Sequence, residues 1–239
     1  MSYAYESEFE NRDVFAIDAV AEERATFIRK TYLHLAAAIL AFVGLETVFL
    51  NTDIIVQPML KVLMSGQWWM IMLGFIAVGW VAEKWAQSET SPAVQYLGLA
   101  LYTVAEAVIF VPLLLVVQRF GGPDTISIAA ILTLVLFGGL TAFVLITGAD
   151  FSFLRTGLCL AGLAAFAIAI CAAIFGFSLG LWYSAAMVVL ASGYIVYYTS
   201  QVLHTYRTNQ YVAASLALFS AVALLFWYIL RIVSELRRN

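Results

Sequence analysis

Residues 93–117, AVQYLGLALYTVAEAVIFVPLLLVV, decide the fold of this chain. The stretch is almost entirely apolar, and Glu106 is its only Asp, Glu, Lys or Arg. It exceeds the about 20 residues that a helix needs to cross the hydrocarbon core of a bilayer. Inside a bilayer every backbone N–H and C=O must be paired within the protein, which favours a helix. The stretch therefore predicts a membrane-spanning α-helix.

Six more apolar stretches lie on either side of this one. They fall at approximately 31–51, 66–81, 126–147, 154–174, 179–203 and 211–233, and the stretch at 66–81 is the shortest. Short polar segments separate them, as expected for the links between spans. The sequence therefore predicts an all-α integral membrane protein, in which residues 29–239 form a bundle of seven transmembrane helices.

The composition excludes several classes of protein. Hydrophobic residues make up 64% of the chain and charged residues 11%, whereas soluble domains carry about 25% charged residues. Outside its acidic first residues the chain is only slightly basic, which gives no indication of nucleic-acid binding. It contains none of the HExxH, P-loop or GxGxxG motifs. The sequence predicts neither an enzyme nor a bound cofactor, and it indicates no metal site.

The first residues predict the orientation. Residues 1–28 form an acidic tail that is too polar to span, with some helix expected near 17–30. Arg24, Arg29 and Lys30 lie beside the first span, and an excess of Lys and Arg marks the cytoplasmic side. The sequence thus predicts a cytoplasmic N-terminus. All six tryptophans lie toward the ends of the predicted spans, which is typical of an interfacial belt.

Two carboxylates within predicted spans are the candidates for function. Glu106 lies near the middle of the third span, and Glu46 lies in the outer half of the first. An acid at bilayer depth normally faces a protein interior or a hydrated cavity, and burial favours its protonated form. Two interpretations stay open for each: a pH-responsive group on an ion path, or a protonated structural acid. For Glu106 the structural partner would be Tyr102, one turn earlier on the same helix face.

Three further features could shape a site. Pro112 lies six residues after Glu106, removes a backbone hydrogen bond and predicts a bend in the third span. Tyr194 and Tyr198 share a helix face and indicate either a hydrated vestibule or an interfacial belt. Asp150 precedes the fifth span, where its carboxylate can accept the amide hydrogens of Ser152 or Phe153. We interpret Asp150 as a cap that fixes this link.

Several short motifs, in this order and spacing, resemble the Bax-inhibitor family, and its bacterial YccA-like branch in particular. The resemblance covers roughly residues 30–235 and combines seven spans with Asp150-Phe151-Ser152-Phe153-Leu154, Thr199-Ser200, His204, Thr208-Asn209, Tyr211, Ile229-Leu230-Arg231-Ile232 and the stretch from Glu106 to Leu114 that contains Pro112. It implies a multipass protein of the bacterial inner membrane.

The resemblance also implies two functions. Some members of the family are similar to pH-sensitive calcium leak channels, which carry one aspartate just before the Thr199-Ser200 position and a second in the last span. Here those positions hold Tyr198 and Ser220, or Ala221 with a one-residue offset. An aspartate-pair switch therefore cannot operate in this chain, and Glu106, then Glu46, is the substitute we expect.

The sequence thus leaves two hypotheses. The first is a leak path for calcium or protons, gated by protonation of Glu106. The second is a non-enzymatic modulator of an FtsH-type membrane AAA protease, because the bacterial branch includes such a protein. The charged tail of residues 1–28 would be the cytosolic handle for that partner.

Overall fold

A computed structural model of the chain describes residues 14–65, 68–88 and 91–238. These residues form eight α-helices, and their only strand-like pairing is an isolated bridge between Phe15 and Arg207. The helices are α1 (Ala21–Leu50), α2 (Asp53–Met64), α3 (Trp68–Ala86), α4 (Pro92–Phe120), α5 (Thr125–Thr147), α6 (Leu154–Phe175), α7 (Leu181–His204) and α8 (Tyr211–Arg238). The prediction of an all-α fold is confirmed. The predicted acidic tail up to residue 13 lies outside the described residues.

Six of the helices are long and apolar enough to cross a membrane, namely α1, α4, α5, α6, α7 and α8. The predicted span at 66–81 corresponds to α3, which is not among the six, and its first two residues lie outside the described part. The helix continues to Ala86 and includes Glu83 and Lys84, which we predicted to lie in a link. Helix α2, between the first two predicted spans, was not predicted.

Helix α8 lies at the centre of the bundle. It packs against α1, α3, α4, α5 and α7, and half of its spanning window is buried inside the protein. Phe219 is fully buried, and its ring lies 6.1 Å from those of Phe42 on α1 and Tyr102 on α4, measured between centroids. The last helix of the chain therefore organises the core around itself.

Contacts between the links define two ends of the bundle. At the amino-terminal end, the amide of Ala16 donates to the carbonyl of Tyr206 at 2.9 Å, and His34 Nε2 lies 3.0 Å from the Tyr96 hydroxyl. At the opposite, carboxy-terminal end, the Arg231 guanidinium donates to the carbonyl of Leu179 at 3.2 Å. Helix α8 thus begins at one end of the bundle and finishes at the other.

Gly98 lets α3 and α4 approach closely. A Cβ at this position would lie 2.5 Å from the carbonyl oxygen of Ala82 and 2.6 Å from the amide nitrogen of Ala86. Ile71, farther back along α3, lines a groove together with Val108 of α4. The two helices are therefore antiparallel and packed along their length.

Five helices form an incomplete ring. Helix α3 packs against α4, α4 against α8, α8 against α7, and α7 against α6. Among the described helices α6 packs extensively only against α7, so the step from α6 back to α3 is not closed by such packing. Only 6% of the spanning window of α6 is buried. The ring therefore has one open side, between α3 and α6.

Candidate functional site

The incomplete ring surrounds a cavity of about 560 Å³. All five of its helices contribute side chains to the lining. Nine of the twenty-two lining residues that the structure describes are aromatic, and Glu106 is the only Asp, Glu, Lys or Arg among them. We call this space the large cavity. It is an apolar space inside the bundle with a single acidic group on its wall.

Glu106 lies on the buried face of α4. Its side chain is 6% exposed and faces the hydroxyl of Tyr102, one turn earlier on the helix. The same Tyr102 hydroxyl also interacts with the side chain of Ser220 on α8. The acid therefore reaches a short row of polar groups that crosses from α4 to α8. This arrangement is compatible with both interpretations of Glu106 made from the sequence.

A second, smaller cavity adjoins the first. Its volume is about 250 Å³, and its lining includes Glu83 from the end of α3 and Tyr206 from the link between α7 and α8. Both cavities are lined by Phe75, Ile76, Tyr102, Tyr198 and Ser220, and the last three carry hydroxyl groups. These three residues form the shared wall, as we name it here. The two cavities together run from the amino-terminal end of the bundle past the shared wall to Glu106.

Tyrosines of α7 link the shared wall to α6. The ring of Tyr198 stacks on that of Tyr194, with centroids 5.8 Å apart. The Tyr194 hydroxyl donates to the carbonyl of Leu158 at 3.0 Å, and the Tyr183 hydroxyl donates to that of Ala165 at 3.0 Å. Tyr194 and Tyr198 therefore line a cavity inside the bundle, and the hydroxyl of Tyr194 also holds α6 to α7.

Glu46 lies away from both cavities. It is 5% exposed on α1, and neither of its carboxyl oxygens has a hydrogen-bond partner among the residues that the structure describes. Phe42, one turn earlier, packs against Phe110 with ring centroids 5.1 Å apart, which places this face of α1 against the aromatic core. The structure thus separates the two acids that the sequence presents as similar, and Glu106 alone borders a cavity.

Pro112 lies within the continuous helix α4, and its side chain is buried. Because proline has no amide hydrogen, the carbonyl of Val108 loses its usual helical partner. That carbonyl lies half a turn beyond Glu106 along α4. The bend that we predicted at this point stays a prediction.

Asp150 orders the link between α5 and α6. Its carboxylate accepts the amide hydrogen of Ser152 at 2.8 Å and the hydroxyl hydrogen of the same residue at 3.0 Å. These hydrogen bonds, with a smaller contribution from nearby His204, hold the pKa of the exposed Asp150 below its usual value. Helix α6 begins only at Leu154 and has no side-chain cap. The carboxylate therefore fixes the turn before the helix.

The sequence did not predict which aromatic residues line the large cavity. We assigned Trp227 to an interfacial belt, and the structure shows that its ring also packs on Phe110 inside the bundle, with centroids 5.0 Å apart, and lines the large cavity. Tyr183 and Tyr228 line the same space, and their ring centroids are 5.9 Å apart. Where apolar and aromatic residues occupy every face of a helix, the sequence does not show which of them face the interior of the bundle.

Comparison with known proteins assigns the family. A family profile described as "Inhibitor of apoptosis-promoting Bax1" matches residues 24–238. The chain belongs to the Bax-inhibitor family. It is also 30% identical over 220 residues to an uncharacterized protein of Pseudomonas aeruginosa, and the match covers 90% of this chain and 92% of that protein. With its apolar helices, this Bax-inhibitor protein is an integral membrane protein.

Two positions of the shared wall coincide with those that the family resemblance singles out. Tyr198 and Ser220 hold the positions at which we expect the aspartates of calcium-leak relatives, and both line the shared wall. Ala221, the alternative to Ser220, lines the large cavity as well. Among the described residues of this Bax-inhibitor protein, no three His, Cys, Asp or Glu side chains come together as metal ligands. Glu106 is connected to Ser220 through Tyr102, whereas Glu83 is the acid that acts on Tyr198.

Proposed function

We propose that this Bax-inhibitor protein is a non-enzymatic leak path for cations, calcium or protons, gated by protonation of Glu106. The observation that supports the proposal is the pair of adjoining cavities, which approach each other at the shared wall of Tyr102, Tyr198 and Ser220. A chain of hydroxyl groups and an acid inside an apolar bundle is typical of ion pathways in membrane proteins.

Glu106 gives the path its pH dependence. When it is deprotonated, its carboxylate is a negative charge in an apolar cavity, and an entering cation pairs with it. When it is protonated, that charge is lost and the cavity attracts cations less. The groups that face it are the hydroxyl of Tyr102 and, beyond it, that of Ser220, while Glu83 is the acid at the small cavity. Flux should therefore rise as Glu106 loses its proton.

The same proposal treats α3 as a seventh span. Helix α1 ends at the carboxy-terminal end of the bundle and α4 begins at the amino-terminal end, so the chain returns between them through α3. The 19 residues of α3 reach about 28 Å at 1.5 Å per residue, close to the about 30 Å of a hydrocarbon core. With seven spans in a bacterial inner membrane and a cytoplasmic N-terminus, the C-terminus lies outside.

Reconstitution tests the leak path. Liposomes that contain a calcium-sensitive dye and the purified protein should show calcium entry that increases with pH. Glu106→Gln, which keeps the size of the side chain but cannot ionise, should remove this dependence on pH. The matched control is Glu46→Gln, which changes a second buried acid outside the cavities. Equal pH profiles for wild type and Glu106→Gln, or no flux from either, would reject the proposal.

A modulator of a membrane AAA protease is the second candidate function. The observation in its favour is the attachment of the amino-terminal segment to the bundle. The amide of Thr208 donates to the carbonyl of Val14 at 3.1 Å, and that of Ala16 donates to Tyr206 at 2.9 Å. A partner bound before Val14 would thus act next to the link between α7 and α8.

Deletion of residues 2–13 tests this second function while it leaves Val14 and its hydrogen bonds in place. Co-purification of the membrane protease with the full chain, lost on deletion, would support it. If the deletion changes neither co-purification nor the turnover of protease substrates, the tail has no such role.

A further inference from the structure

The large cavity is accessible from the side of the bundle. It is bounded by a ring of helices that lacks close packing between α3 and α6, and it is partly open. Met72 of α3 and Phe166 of α6 line it and are 37% and 43% exposed. Because α6 is apolar enough to cross a membrane and α3 is the seventh span of the function proposed above, a molecule that enters here comes from the membrane. The entrance therefore selects lipophilic ligands.

The wall of the cavity is complementary to a positive charge. Glu106 is the only Asp, Glu, Lys or Arg among the lining residues that the structure describes. Each of the five helices contributes at least one aromatic side chain to the lining, namely Phe75, Tyr102, Phe166, Tyr198 and Trp227. The faces of such rings attract cations, most strongly where water is excluded. Acid and rings together form the kind of aromatic cage that binds quaternary ammonium ions.

The size of the cavity and its distribution of charge favour a bulky ligand. Its volume of about 560 Å³ falls within the roughly 300–1,000 Å³ of small-molecule sites. A large organic cation spreads its charge over more surface, and the cost of desolvation falls with ionic radius.

We propose that the large cavity is a binding site for lipophilic organic monocations, which enter from the bilayer between α3 and α6 and pair with Glu106. Quaternary ammonium and phosphonium ions that carry aromatic groups are the ligand class. The site does not depend on whether the chain conducts ions, so a negative flux experiment leaves it standing.

Binding is tested with tetraphenylphosphonium and the full chain in lipid nanodiscs. Equilibrium binding of the radiolabelled cation, with the signal of empty nanodiscs subtracted, should be saturable. Glu106→Gln should weaken it by about tenfold or more, because the ion pair lies in a medium of low dielectric constant. Glu46→Gln, a buried acid outside the cavity, should bind like wild type. Absence of saturable binding, or equal affinity in Glu106→Gln, would overturn the proposal.

Tetraphenylborate separates charge from shape. This anion has nearly the same size as the phosphonium, so a site that only accepts apolar molecules would bind both. We expect no saturable binding of the borate above empty nanodiscs. Equal saturable binding of the two ions would show an apolar site without charge selection and would overturn the proposal.

A second variant tests the site without touching the acid. Ala169 of α6 lines the large cavity, and Ala169→Trp should fill part of it and weaken phosphonium binding by about tenfold. The control is Ala167→Trp, because Ala167 is exposed on the same helix and does not line the cavity. Unchanged binding in Ala169→Trp would contradict the assigned location, including in the case that Glu106→Gln fails to fold.

Discussion

The hydroxyl of Ser200 accepts the amide hydrogen of Phe151 at 2.8 Å, so the link between α5 and α6 is fastened to the last turn of α7. Helix α6 packs extensively only against α7 among the described helices. This hydrogen bond therefore helps to hold the less buried α6 in place, together with the bonds that Tyr183 and Tyr194 donate to it.

Ser200→Ala should lower stability by about 1 kcal/mol, because the amide of Phe151 loses its partner in a partly buried position. The thermal unfolding midpoint in detergent measures the effect. The control is Ser192→Ala, on the same helix, whose hydroxyl donates only to the carbonyl of Val188 within α7. If both variants melt alike, the hydroxyl of Ser200 does not hold the link.

Asp150 should contribute to stability only while it is ionised. Hydrogen bonds from Ser152 lower its pKa in the folded protein, so its contribution is complete above the unfolded pKa of about 3.9 and is lost as the pH falls through the folded value. Asp150→Asn should therefore melt below wild type at pH 7, and the difference should shrink as the pH falls below the unfolded pKa. If the difference in melting temperature between the two proteins grows at low pH, ionised Asp150 does not stabilise the fold.

Gly98→Ala should destabilise the protein by about 1–3 kcal/mol, the usual cost of overpacking. The new methyl group would meet backbone atoms of Ala82 and Ala86, which cannot move aside as a flexible side chain can. Gly138→Ala is the matched control, since nothing lies within 4 Å of its Cβ. That variant should gain about 0.5–1 kcal/mol from the lower entropy of the unfolded chain. Thermal melting of the two variants should thus shift in opposite directions.

Ser220→Leu should reduce calcium flux toward the background of protein-free liposomes. The larger apolar side chain would fill the shared wall between the two cavities and remove a hydroxyl from it. Ser192→Leu introduces the same change in a partly buried position outside both cavities and should conduct like wild type. Wild-type flux in Ser220→Leu, with an unchanged melting temperature, would place the path elsewhere.

The sequence predicts the long helices well because burial in lipid imposes one requirement along the whole chain. The length of the apolar stretches alone predicts α4 and the other long helices, without information about their contacts. It fails at 66–81, where Glu83 and Lys84 lie inside the end of α3 and are mistaken for a link. It also fails for α2, whose Pro58 and short length conceal a helix between two spans.

The site is only partly visible in the sequence. Glu106 stands out because an isolated acid in an apolar run is costly. Glu46 stands out for the same reason, and only packing shows that it borders no cavity. The aromatic wall depends on how α8 is placed among five other helices. Trp227 illustrates this, because its inward position follows from contact with Phe110 and not from its distance to the end of a span.

The two main-chain hydrogen bonds between residues 14–16 and the α7–α8 link have a mechanical consequence. A pulling force applied to the chain before Val14 reaches Tyr206 and Thr208 before it reaches α1. Tyr206 is part of the lining of the small cavity. A protein-unfolding enzyme that pulls on the amino terminus would thus strain the lining of the small cavity before it strains α1.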